Sequence, residues 1–260
     1  MQDWGGLTNN GGPTLTHLPS PTSVAVELNQ QCAADVGTLT SDQRGLTRPQ
    51  GTYCDSGALE RDTVPPTTPV VEKPSKRFLK SRDLLFDWTD STDPGGVGSI
   101  VYDPERRREE YNQTNFVNVT LLGGGFESER QLTGKPGSTE CFKVVARDGD
   151  GNESAESNEK CTATPLDDRD LKAKGTWKRK KGPDHYLETY TSTKQEGAKL
   201  SLKDVEDAKR LVLVATRCPD CGKVGIMMDD DLLVFRSLKA SSEKRNSFIK
   251  VPAFANPTAR

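Results

Sequence analysis

Thr139-Glu140-Cys141-Phe142-Lys143-Val144-Val145-Ala146-Arg147-Asp148, continued by Gly149-Asp150-Gly151-Asn152-Glu153-Ser154, is the stretch whose reading decides the fold. Successive side chains of a β-strand point to opposite faces. Phe142, Val144 and Ala146 therefore share one face, and Cys141, Lys143, Val145 and Arg147 share the other. The first row is apolar and the second mixed, as in a strand with one side on a core and one towards water. Asp148 to Asn152 is turn chemistry, because glycine and asparagine adopt positive φ at little cost. Strand, turn and returning strand at this spacing predict a hairpin of an antiparallel sandwich.

Working outward, Leu84-Leu85-Phe86-Asp87-Trp88 reads as a short apolar strand between Arg82-Asp83 and a turn region running from Asp90 to Gly98. The proline-rich stretch at 62–69 predicts a stiff, extended linker, since neighbouring prolines hold the chain near polyproline II. Residues 1–61 are rich in Gly, Pro, Thr and Asn and show no long periodic run, which implies turns and short strands. A second polar joint covers 164–174, and a strand-rich block follows over 175–260. The expected fold class is all-β, with a sandwich at 70–163 and a second, C-terminal β-sandwich beyond it.

Composition agrees with several thin modules. Hydrophobic residues are 32% of the 260-residue chain, under the ~45–50% apolar share of ordinary globular domains. That disfavours one large core and suits small sandwiches joined by polar linkers. The net charge of −2 gives no overall field towards nucleic acid or a membrane. No apolar run approaches the ~18 residues of a membrane span. Met1 to Gly6 lacks the basic and apolar regions of a signal peptide, so the chain reads as cytosolic, or as secreted with its beginning upstream of Met1.

The six cysteines fall into sequence-local pairs, Cys32 with Cys54, Cys141 with Cys161 and Cys218 with Cys221. An even count spread one pair per module is what a disulfide framework looks like, and disulfides persist in oxidising compartments. The alternative is six reduced thiols in a cytosolic protein. The pairing favours export to the cell surface or medium.

Three resemblances follow from motifs. The run Thr139 to Asp148 with Gly151-Asn152-Glu153-Ser154 resembles the F strand and F–G turn of bacterial fibronectin type III domains. Asp62-Thr63-Val64-Pro65-Pro66 resembles the opening of those domains, and Trp88 stands where they place a core tryptophan on strand B. This likeness implies a sandwich over about 63–163, with Cys141 and Cys161 on neighbouring strands within disulfide reach. Arg106-Arg107-Arg108-Glu109-Glu110-Tyr111 departs from the pattern and is expected to interrupt the C strand.

Asn9-Asn10-Gly11-Gly12-Pro13-Thr14-Leu15-Thr16-His17, Asp42-Gln43-Arg44-Gly45-Leu46-Thr47-Arg48-Pro49-Gln50-Gly51 and Cys54-Asp55-Ser56-Gly57-Ala58-Leu59-Glu60 resemble the terminal segment of right-handed parallel β-helix surface proteins. That resemblance implies an incomplete cap, poorly ordered alone, whose coils would lie upstream. The block from Gly175-Thr176-Trp177, with Leu211-Val212-Leu213-Val214-Ala215-Thr216 and Cys218-Pro219-Asp220-Cys221-Gly222, resembles carbohydrate-binding-like sandwiches of actinobacterial exoproteins. That family carries further strands beyond Phe254, so truncation is expected.

Each remaining constellation has a plain alternative. Cys218-x-x-Cys221 lacks the following helix of a redox motif and the second ligand pair of a zinc site, so a turn-closing disulfide is expected. Asp148-x-Asp150-x-Asn152 with Glu159 imitates a calcium loop. Glu153 stands where that loop requires glycine, and a solvated hairpin turn is expected. His17 and His185 have no nucleophile signature beside them. Asp229-Asp230-Asp231 reads as a charged hairpin tip. Lys178-Arg179-Lys180-Lys181 fits nucleic acid or an anionic wall polymer, and otherwise a solvated strand or linker. Trp177, Tyr186 and Tyr190 fit either a sugar-stacking platform or sandwich core.

No catalytic set, metal site or cofactor is expected. The sequence reads as a non-catalytic extracellular or cell-surface module set acting in adhesion, display or binding of cell-wall or extracellular polysaccharide. Two alternatives stand beside it: the targeting region of a secreted polysaccharide-acting enzyme with an upstream β-helix, and a nonfunctional gene fragment.

Overall fold

The computed structural model describes residues 4–34, 37–94, 99–206, 208, 210–229 and 231–252. At its start, β1 (Trp4–Thr8) pairs antiparallel with β2 (Thr16–Pro19), and β3 (Ala33–Ala34) with β4 (Gly37–Thr38). Among the described residues few apolar side chains are buried here, namely Pro19, Ala25, Cys54 and Leu59. A buried polar network holds the segment instead.

The Asp42 carboxylate accepts the N–H groups of Arg44, Leu46 and Glu60 and pairs with Arg44 Nε at 2.8 Å. Glu60 Oε1 receives Arg48 NH1 at 2.7 Å and Asp55 N at 2.9 Å. Asp55 in turn accepts Glu27 N and Arg61 N. Burial pushes the Asp42 carboxyl up, yet Arg44 and the surrounding N–H donors hold it below its ordinary value. Glu60 ends above its ordinary value, because burial outweighs the pull of Arg48. Buried carboxylates persist only when paired in this way.

The sandwich follows, built from β5 (Val71–Lys73), β6 (Asp83–Trp88), β7 (Val101–Glu110), β8 (Val117–Leu121), β9 (Glu129–Thr133), β10 (Ser138–Arg147) and β11 (Lys160–Thr164). One sheet has the order β5-β6-β9 and the other β11-β10-β7-β8. A three-stranded antiparallel sheet over a four-stranded one in this order is a fibronectin type III-like sandwich.

Alternation builds its core. Leu84, Phe86 and Trp88 of β6 are buried against Phe142, Val144 and Ala146 of β10, with Val71 and Tyr102 closing the ends. Phe86 lies 4.6 Å from Trp88 and 4.8 Å from Phe142 between ring centroids, and Trp88 meets Tyr102 edge-on at 5.6 Å. Each fully buried large apolar side chain contributes about 1.5–3 kcal/mol from loss of hydration. The Tyr102 hydroxyl accepts Ser91 N at 2.7 Å, which ties the β6–β7 connection to the core.

The charge run at 106–111 does not interrupt its strand, contrary to expectation. β7 continues through Glu110 and stays in register with β10 from Val101↔Arg147 to Glu110↔Ser138. Three of its charges are matched by the neighbouring elements. Arg108 meets the fully buried Glu140 at 2.6 Å, Arg107 pairs with Glu159, and Glu110 with Lys135. A charged side chain costs a strand little when a partner sits across the ladder.

The disulfides are Cys32–Cys54, Cys141–Cys161 and Cys218–Cys221, the sequence-local pairs. Cys141 and Cys161 sit directly opposite in the β10–β11 ladder, with Cα atoms 4.0 Å apart. Among the described residues no helix is long and apolar enough to cross a membrane.

Beyond the sandwich, β12 (Lys172–Lys174) pairs with β15 (Lys199–Ser201), and β13 (Lys178–Lys181) with β14 (Thr189–Ser192). β16 (Val212–Arg217) pairs with β19 (Lys244–Lys250), and β17 (Lys223–Met228) with β18 (Asp231–Ser237). These pairs are antiparallel and two-stranded. In this part, Ile249 is the one buried large apolar side chain among the described residues.

The Arg108–Glu140 pair yields a direct check. Arg108→Met leaves Glu140 buried without its partner and should cost about 3–5 kcal/mol of unfolding free energy. Adding Glu140→Leu should recover most of that loss in chemical denaturation. An unchanged midpoint in the single variant would show that β7 does not depend on this pair.

Candidate functional site

An open cleft of about 4770 Å³ is lined by the C-terminal strand pairs together with Phe78, Tyr111, Phe116 and Thr162 of the sandwich. Its walls include half-buried Val224, Ile226 and Met228 from alternate positions of β17, and Val212 and Val214 of β16. Two-stranded ribbons bury too little surface to close such a space alone. The cleft therefore stays open.

Trp177, Tyr186 and Tyr190 all line this cleft. Trp177 Nε1 donates to Lys174 O at 3.3 Å just before β13. Tyr186 lies in a short 3-10 turn, Tyr186–Glu188, and its hydroxyl donates to Pro165 O at 2.6 Å. Burial pushes the Tyr186 phenol up to about 12, from an ordinary value of 10.0. Tyr190 stands opposite Lys180 in the β13–β14 ladder and stacks on His185 with centroids 4.4 Å apart. The three rings are brought to one cleft, with Tyr186 anchored by its hydroxyl and Tyr190 covered on one face by the imidazole.

Gly182 explains how the stack forms. A Cβ there would lie 2.6 Å from His185 Nδ1 and 3.1 Å from Tyr190 Cδ1. Only a glycine lets both rings approach the backbone this closely. His185 Nε2 sits 3.3 Å from the Thr216 hydroxyl, a hydrogen bond whose direction depends on the ring tautomer. Threonine, tyrosine and glycine around the imidazole make a packing site.

The basic run occupies β13, whose side chains are exposed. Arg179 is tied back to Arg169 O and Leu171 O, while Lys180 Nζ lies 6.0 Å from the Tyr190 ring centroid. Lysine ammonium and aromatic ring thus share one edge of the cleft. Cys218 and Cys221 close a turn, with Cys221 N donating to Cys218 O. Asp229 begins the turn between β17 and β18 with φ 52°, and Asp230 lies outside the described residues. His17 Nδ1 is 2.7 Å from Gly5 O, bracing the first hairpin.

Among the described residues, two groups of close acidic or thiol side chains have the spacing to hold a metal ion. In the first, Cys141, Glu159 and Cys161, both sulfurs are joined in a disulfide. The second, Asp62, Asp93 and Asp148, was missed in the sequence because its members are far apart in the chain. The turn at Asp148 is solvated at Gly149, Gly151 and Glu153, but not at Asp148 itself. Asp148 is 5% exposed and accepts Asp150 N, Asn152 N and Asn152 Nδ2. Its carboxylate organises the turn from inside.

No known family model and no curated protein matches the chain. Among solved structures, it is similar to the twitchin kinase region from C. elegans at 18% identity and TM-score 0.29, over 40% of this chain and 17% of that one. It is similar to the fibronectin type-III domain of human fibronectin type III domain containing protein 3 at 22% identity and TM-score 0.27, over 40% and 89%. Chicken CNTN1 FN1-FN3 domains are similar at 12% identity and TM-score 0.28, over 71% and 56%. The chain thus spans well under two-thirds of the twitchin region.

Tyr186 supplies a pH test. The unfolded chain releases this proton near pH 10 and the folded chain near about 12. The stability from the protonated, hydrogen-bonded phenol is therefore complete below pH 10 and lost as pH rises towards 12. Thermal melts of wild type and Tyr186→Phe should diverge below pH 10 and converge above it. A constant difference across that window would show that the phenol titrates normally.

Proposed function

We propose that this chain is a non-catalytic, exported binding and spacer protein whose C-terminal segment holds polysaccharide. The observation that carries the reading is the gathering of Trp177, Tyr186 and Tyr190 on one open cleft with the lysines of β13 at its edge. Aromatic faces stack on the apolar faces of sugar rings, and ammonium groups attract the phosphates or carboxylates of anionic wall polymers. An open cleft suits an extended chain of sugars.

Three disulfides, one in each part of the chain, support an oxidising compartment and hence secretion or surface display. The sandwich between them supports a spacer role, because a rigid domain fixes the distance between its two flanks. Exposed Leu7, Leu15, Val24 and Leu28 support the reading of the first segment as the end of a solenoid that stacks on a β-helix coil.

The test is retention of the full chain on insoluble cell-wall polysaccharide and on teichoic-acid-bearing wall. Wild type should be retained, and Trp177→Ala with Tyr190→Ala should lose most retention while the melting temperature stays close to wild type. A purely electrostatic contact would instead vanish for wild type in high salt. No retention on any polysaccharide would leave the spacer role alone.

A further inference from the structure

Three connections meet at the end of the sandwich where the chain arrives from its N-terminal segment. They are the end of that segment at Asp62, the β6–β7 connection at Asp93, and the turn after β10 at Asp148. One carboxylate oxygen from each lies within 4.8 Å of those from the other two. Asp62 is 0% exposed and Asp148 5%. This is not a scatter of surface acids.

The pairing within the group is incomplete. Asp62 Oδ1 accepts Val64 N at 2.8 Å, whereas Asp62 Oδ2 is buried and receives no hydrogen bond. The nearest arginine of the segment, Arg61, donates to Pro19 O and Asp150 O, so its hydrogen bonds go to backbone carbonyls. Asp150 adds a fourth acid, its Oδ2 accepting Asp62 N at 2.9 Å. Burial first, and then the charges of Asp93, Asp148 and Asp150, drive the Asp62 carboxyl up to about 6 against the pull of the Val64 N–H. Like charges packed together out of water are costly unless a cation or a proton joins them.

We propose that Asp62, Asp93 and Asp148 bind one divalent cation, calcium, and that this ion fastens the N-terminal segment to the sandwich. The donors are all carboxylate oxygens, which suit hard cations and not the thiophilic metals. Calcium tolerates irregular oxygen shells filled out by carbonyls and water, whereas magnesium demands near-octahedral geometry. The joint itself is already laid out for it. Asn152 Nδ2 donates to Asp62 O at 2.8 Å and also to Asp148 Oδ2 at 2.7 Å, so the ligands are held in place by the turn. This inference is independent of the polysaccharide reading, since none of these residues lines the cleft.

The experiment is calorimetric titration of the full, EDTA-treated chain with calcium chloride, with its melting temperature followed in parallel. One saturable site and a melting temperature that climbs with calcium are expected, as mass action requires of an ion bound only by the folded state. Asp93→Asn should weaken calcium affinity about tenfold or more, the scale of losing even a supporting contact to a metal. Magnesium should bind more weakly than calcium. Asp62→Asn serves as the second variant, removing the calcium response while leaving the metal-free chain at least as stable as wild type. Absence of both heat and melting shift with calcium would overturn the proposal, and a more stable Asp62→Asn would then assign the cluster a shared proton. Calcium binding left unchanged by both variants would also overturn it.

Discussion

The contact between Phe86 and Phe142, 4.8 Å between ring centroids, joins the two sheets on which the rest of the chain leans. Phe86 is the centre of its strand's apolar row, and Phe142 begins the row continued by Val144 and Ala146. Trp88 and Tyr102 extend the contact towards the N-terminal end of the domain, and Val71 and Leu84 complete it. Among the described residues, neither flanking segment has an apolar cluster of comparable depth. The first segment is held by paired carboxylates and arginines, and the last by two-stranded ribbons about an open cleft. Both make their fixed points on the sandwich. Arg61 and Asn152 bridge one end, while Phe78 meets Phe248 and Glu206 N donates to Tyr111 O at the other.

Much of the sandwich was legible in the sequence because alternation is a direct physical signal. Phe142, Val144 and Ala146 had to face one way, and the turn residues at 148–152 had to send the chain back. The charge run at 106–111 misled for a reason that spacing cannot reveal. Glu140 and Glu159, which match its arginines, are more than thirty residues away in the chain and reach them only through the ladder. The same limit hid the grouping of Asp62, Asp93 and Asp148. The sequence around Asp148 offers a continuous loop pattern, whereas its acidic neighbours Asp62 and Asp93 come from two other connections. In the C-terminal segment the aromatic residues could be singled out, but their meeting on one cleft depended on the turn at 186–188 and on the closeness permitted by Gly182.

The motif residues of the first segment also acquire a physical meaning. Asp42, Arg44, Arg48, Asp55 and Glu60 all belong to one buried network of ion pairs and backbone hydrogen bonds. Such a network is directional, so it fixes one arrangement of the loops where apolar contacts are too few to do so. It also places Arg61 and Asp62 at the sandwich, which makes the joint between the two parts a specific contact. The proline-rich stretch then lies along the domain, with Thr67 N donating to Thr92 O and Pro69 fully buried.

Hydrogen exchange of the intact chain, resolved by peptide, tests most directly the claim that the sandwich is the stable unit and the flanks depend on it. Backbone amides in β6, β7 and β10 should exchange only through global unfolding, and those of β12 to β19 through smaller openings at lower free energy. Phe142→Ala should then speed exchange in both flanks together with the sandwich. Equal protection of β12 to β19 in wild type, unmoved by Phe142→Ala, would contradict the account and make the C-terminal segment an independent folding unit.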